Sequence, residues 1–151
     1  MYDFVDRPID QLNQGGATVL HAMRLWVRRA ANGQCACAEL RHLFTARGFG
    51  AGVGGFGAMM HALHGGARRN VSFRHVGCPR IGEDEAVLLA LIRPRCGRAG
   101  GARDEAAQML VCGARLPQFR AGLEALAQGM EQAGGPPRIV GGCHSRREAG
   151  S

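Results

Sequence analysis

The chain contains no lysine; all 19 of its basic residues are arginines. A G-x-x-x-x-G-K-[ST] phosphate loop is therefore excluded. Serine is almost missing too. Ser72, Ser145 and Ser151 are the only three, and none lies in a G-x-S-x-G elbow or beside a candidate base. Carboxylates are scarce, and their clusters at 83–85 and 104–105 open predicted helices, which leaves little for paired-carboxylate hydrolysis. Long apolar runs are absent as well. The longest, Ala86–Ile92, has seven residues, against the roughly 20 that span a bilayer. The opening stretch MYDFVDRPIDQLNQGG carries acids and no apolar core of a signal peptide. The expected location is cytoplasmic, with the six cysteines held as thiols rather than as a disulfide framework.

What is present fits one globular domain: 151 residues, 46% of them hydrophobic. The formal net charge of +7 would suit a polyanion. Yet the arginines are scattered, adjacent only at Arg28-Arg29, Arg68-Arg69 and Arg146-Arg147, whereas nucleic-acid binders gather charge on one face or arm. The Arg-only basic set and the 24 glycines also fit a high-GC coding bias, which dilutes the meaning of the charge.

The pattern divides into a polar lead-in (1–16), a helical domain (17–133) and a flexible Pro/Gly/Arg tail (134–151). A first helix is expected from Thr18 as N-cap to the Asn32-Gly33 stop. Its apolar set includes Val19, Leu20, Met23 and Val27, with Trp26 in the core and Arg24 and Arg28 on another face. Helices follow at about 36–47 and 54–64. A strand is expected at 71–75, where Val71, Phe73 and His75 alternate with Ser72 and Arg74. The next helix begins after Gly82, its acidic Glu83-Asp84-Glu85 turn complementing the helix dipole, and ends by Ile92 before Pro94. Two more, at about 103–112 and from Pro117, complete the set, after a basic Gly-rich loop at 93–102. The fold class is mainly α: a small bundle of about six helices with one short central strand or hairpin. VLHAM (19–23) resembles VLLAL (87–91), and F-x-A-x-x-x-A-L occurs at 56–63 and 119–126, which would make two three-helix halves.

The motifs that could carry chemistry are few. Gly50-Ala51-Gly52-Val53-Gly54-Gly55 satisfies G-x-G-x-x-G, but a helix precedes it and no acid follows for a ribose, so an interhelical loop is the better reading. Cys35, Cys37, His75 and Cys78 offer thiolate and imidazole ligands for a tetrahedral zinc, though C-x-C and H-x-x-C are not a zinc-knuckle pair. His75 and Cys78 could instead pair as imidazole and thiolate, or simply form a turn. Cys143-His144 in the tail could bind a soft metal only weakly. A helix-turn-helix-like DNA regulator would use the third helix, with His61, His64, Arg68 and Arg69 at phosphates, but Gly54, Gly55 and Gly57 present few base-reading side chains. The expectation is a small, non-catalytic regulatory or protein-interaction module. It carries no cofactor unless zinc, and has a protein partner or self-association. Nucleic acid is the alternative partner, and no membrane is expected.

Overall fold

The computed structural model describes residues 4–68, 70–92, 99–131 and 137–140, with the side chains of 99–104 left out. Six α-helices are present among these residues: α1 (Gln14–Ala31), α2 (Cys37–Ala46), α3 (Val53–Gly66), α4 (Glu83–Leu91), α5 (Ala99–Leu110) and α6 (Leu116–Glu131). The mainly helical expectation holds. The short strand does not: no strand is found among the described residues.

Helix α1 starts a turn earlier than Thr18. Asn13 is the N-cap, its Oδ1 accepting from Gly16 N–H at 3.0 Å, while Thr18 sits inside the helix and donates to Gln14 O at 2.8 Å. Gly33 and Gly48, at φ +70° and +91°, follow α1 and α2 in a left-handed conformation that residues with a Cβ rarely adopt. Beneath α2, Phe44 packs its ring against Phe49 and Phe56, with centroids 5.0 and 5.4 Å apart, so apolar burial fixes the α2–α3 connection. Helix α4 is central as its composition predicts: Leu88, Leu89, Leu91 and Ile92 are all buried.

The closest helix pair is α3 on α6. A Cβ built on Gly55 would lie 2.6 Å from Leu126 N and 2.8 Å from Gly122 O, and one on Gly122 would lie 2.6 Å from Met59 N. Only hydrogen fits between these backbones. The helices carrying the two F-x-A-x-x-x-A-L motifs thus meet at glycine. The Gly50–Gly52 turn is no loose loop: Gly52 is buried, and its backbone lies within 2.5 Å of where a Cβ on Gly129 would sit.

The ends of the chain contribute more than a lead-in and a tail. Phe4 is buried, and Asp6 N–H donates to Ile81 O while Ile81 N–H donates to Arg7 O. Residues 137–140 lie along the same edge, with Val140 N–H donating to Gln11 O at 2.7 Å and Arg138 N–H to Asn13 Oδ1 at 3.0 Å. The rest of the expected tail, 134–136 and 141–151, lies outside the described residues, as do 93–98 of the expected basic loop.

Candidate functional site

The segment 70–75 runs without turn or bend, as an alternating sequence should, yet among the described residues no strand lies beside it. Carboxylates of α4 take the place of a neighbouring strand. Ser72 N–H donates to Asp84 Oδ2 at 2.7 Å and Arg74 N–H donates to Glu85 Oε2 at 3.0 Å. Those two amides, two residues apart, lie on one edge of an extended chain, and consecutive acids at the mouth of a helix receive them.

Glu85 is the hub of this arrangement. Its side chain is 0% exposed and the Arg24 side chain 1%. Arg24 Nε donates to Glu85 Oε2 at 2.7 Å and Arg24 Nη2 to Oε1 at 2.9 Å, a bidentate pair. Glu85 Oε1 also accepts from Gly82 N–H at 2.7 Å, closing the cap of its own helix. Arg24 Nη1 also donates to Cys78 O and Nη2 to Arg80 O, both at 2.8 Å. One salt bridge therefore fixes α1, the start of α4 and the whole 74–82 crossing. One sequence expectation fails here: Arg24, placed on a face apart from the apolar set, is buried, whereas Arg28 is exposed. The acidic triplet opens α4 as expected, yet its members divide: Glu83 is exposed, whereas Asp84 and Glu85 are buried with partners.

Above this clamp the extended segment forms one wall of an open groove of about 290 Å³. Trp26 of α1, Met60, Leu63 and His64 of α3, and Val71 and Phe73 of the segment line it. Trp26 is half-buried at the groove rather than enclosed in the core. The His61 and His64 rings stand edge-on against it, with centroids 5.6 and 5.3 Å away. A second groove shares Val27 and Phe73 with the first and continues past Arg24, Arg28, Arg74 and His75. The apolar trough thus runs into a basic one.

The residues singled out from sequence fall in separate places. Cys35 and Cys37 meet each other across the start of α2, their sulfurs 2.7 Å apart, and both are exposed. His75 and Cys78 form a turn, Cys78 N–H donating to His75 O at 3.0 Å. His75 Nδ1 accepts from Gly77 N–H at 3.2 Å, and Cys78 Sγ lies 3.9 Å from Arg74 Nη1. The backbone contact with Arg80, then the Arg74 guanidinium, hold the Cys78 thiol below its ordinary value. Among the described residues no three His, Cys, Asp or Glu side chains are grouped to hold a metal, so these four do not assemble as a tetrahedral zinc set. His61 and His64 are exposed on α3 but lean on Trp26; Arg68 Nε donates to Val111 O at 3.3 Å. Arg69 lies outside the described residues. The two histidines are the only polar side chains on the exposed face of α3, a sparse set for reading base edges.

Sequence reasoning missed Arg24 and Glu85. No local pattern joins them, since the two residues lie 61 apart in the chain. Among the described residues no helix is long and apolar enough to cross a membrane. No protein-family model, no curated protein and no solved structure matches this chain.

Proposed function

We propose that this protein is a non-catalytic protein-interaction module of the cytoplasm. It docks an acidic partner segment in the groove between α1, α3 and the extended 70–75 segment. The observation that carries this reading is the continuity of the two grooves. Trp26, Val71 and Phe73 offer apolar surface, and Phe73 also borders the trough of Arg28, Arg74 and His75. A segment with one or two large apolar side chains followed by Asp or Glu complements both ends. Rim charge of this kind steers encounter and selects among partners, while the apolar anchor supplies affinity. A rigid wall favours such a role, because ordering the groove on binding then costs little; the Arg24–Glu85 clamp supports that wall from beneath.

The sole tryptophan is a built-in reporter. A random peptide library selected on the full chain is expected to yield apolar residues flanked by Asp or Glu. Those peptides should shift Trp26 emission, and Phe73→Ala should weaken them at least tenfold with the helical circular dichroism unchanged, in line with a buried aromatic anchor of about 1.4 kcal/mol or more. Selected peptides with no acidic preference, or equal binding by Phe73→Ala, would refute the reading. A duplex DNA arm separates the main alternative. Affinity that falls steeply with salt there, alongside no peptide consensus, would favour a DNA-associated regulator.

A further inference from the structure

The start of α2 carries a pair of thiols that the groove does not use. Helix α1 ends at Gly33, and the chain re-enters helix at Cys37 through Ala36, whose φ of −98° and ψ of 9° fold it back on itself. Ala36 is buried and pins the turn, so Cys35 and Cys37 are both left facing solvent. Their sulfurs share an S–H···S contact at 2.7 Å, and Cys37 N–H donates to Cys35 Sγ at 3.3 Å. That amide has no other cap, since Ala36 has no side-chain acceptor. Closing the sulfurs by less than about 1 Å would reach the covalent S–S distance of about 2.05 Å. The surroundings are basic on balance. Arg28 and Arg29 line a neighbouring groove with Gln34 and Glu39, Arg29 pairing with Glu39 at 2.7 Å, and Arg41 acts electrostatically on Cys37.

We propose that Cys35 and Cys37 form a redox-active dithiol that is reversibly closed to an intramolecular disulfide by exchange with an anionic low-molecular-weight disulfide. In the first step the Cys35 thiolate attacks one sulfur of the disulfide RSSR. A Cys35–S–S–R bond forms, the RS–SR bond breaks, and RS⁻ leaves and takes up a proton. In the second step Cys37 loses its proton to solvent and its sulfur attacks Cys35 Sγ. The Cys35–Cys37 bond forms and the second RS⁻ departs as RSH. The protein gives up two electrons and two protons, and one RSSR becomes two RSH. The division of roles follows the geometry. Cys35 Sγ faces both the Cys37 sulfur at 2.7 Å and the Cys37 N–H at 3.3 Å, and the Cys37 S–H and N–H favour negative charge on Cys35 and lower its pKa. Cys35 is the attacking sulfur and Cys37 the resolving one. The reaction is independent of partner docking.

The test uses the full, reduced chain and oxidised glutathione as probe. Acid-quenched samples are digested with trypsin, because peptide 30–41 holds both thiols and no other cysteine. The wild type is expected to lose two hydrogens from that peptide without retaining glutathione. Cys37→Ser should accumulate a glutathione adduct on Cys35. Cys35→Ser should react about tenfold or more slowly at Cys37. Circular dichroism and Trp26 emission check that both variants, changed only at exposed positions, keep the fold. A glutathione adduct that persists on the wild-type peptide would overturn the proposal. So would a disulfide from Cys35 or Cys37 to another cysteine, or the absence of any oxidation of the peptide.

Discussion

Replacing Glu85 by glutamine separates two readings of the same residue by magnitude. As a carboxylate complementing a helix dipole, Glu85 would contribute about 0.3–1 kcal/mol. As the hub of a buried clamp it is worth far more. Oε1 accepts from Arg24 Nη2 and Gly82 N–H, and Oε2 accepts from Arg24 Nε and Arg74 N–H. Whichever oxygen becomes an NH₂, two donors lose their acceptor and face another donor. Charge-assisted hydrogen bonds contribute about 1.5–3 kcal/mol each, so a loss of about 3–5 kcal/mol is expected, the usual scale for a broken buried pair. The volume barely changes, so cavity formation does not confuse the result. Urea unfolding followed by Trp26 emission should show the midpoint falling by about 2 M, taking a slope of about 2 kcal/mol per M. Thermal unfolding should fall by roughly 10 °C. Glu83→Gln, exposed in the same first turn, removes equal charge and should cost under about 1 kcal/mol. Matching losses in the two variants, or a Glu85→Gln loss under about 1 kcal/mol, would refute the clamp.

Further expectations are independent of that one. Gly122→Ala should destabilise by about 1–3 kcal/mol, because its Cβ would lie 2.6 Å from Met59 N. Gly57→Ala, in helix with nothing within 4 Å, should stabilise by about 0.5–1 kcal/mol in the same denaturation assay. Asn13→Ala should cost about 1–2 kcal/mol, since its Oδ1 both caps α1 and holds Arg138 N–H. The pH dependence of iodoacetamide reaction at Cys35 tests the thiol pair. Because the Cys37 contact lowers the Cys35 pKa, reaction should be half-maximal below the ordinary thiol value of about 8.5. Cys37→Ala should move that midpoint upward; an unmoved midpoint would remove Cys37 as the cause.

Much of the helical framework was legible because local rules agree there. The apolar stripes of α1, α2, α3 and α6 follow helical spacing, and Gly33 and Gly48 mark stops within a residue or two of where they occur. The strand expectation failed for a physical reason. Alternation reports an extended chain with two unlike faces, and 70–75 is extended, but alternation does not say what satisfies its amides. Here carboxylates on a helix do so. The start of α1 was misplaced because Thr18 and Asn13 both offer a capping oxygen, and the buried N-terminal segment favours Asn13. Among candidate site residues, Cys35 and Cys37 were legible as a pair because they are two apart. His75 and Cys78 proved to be the turn that brings the chain into α4.

By itself the sequence determined the mainly helical class, the central apolar α4 and the absence of a long apolar span, each of which depends on spacing within about a dozen residues. Tertiary structure alone decided that Arg24 meets Glu85 across 61 residues, that α3 and α6 touch at glycine, and that Trp26 borders an open groove. A buried ion pair, a missing Cβ and a half-covered indole all depend on what another part of the chain places opposite them. Periodicity reports only which way a residue faces.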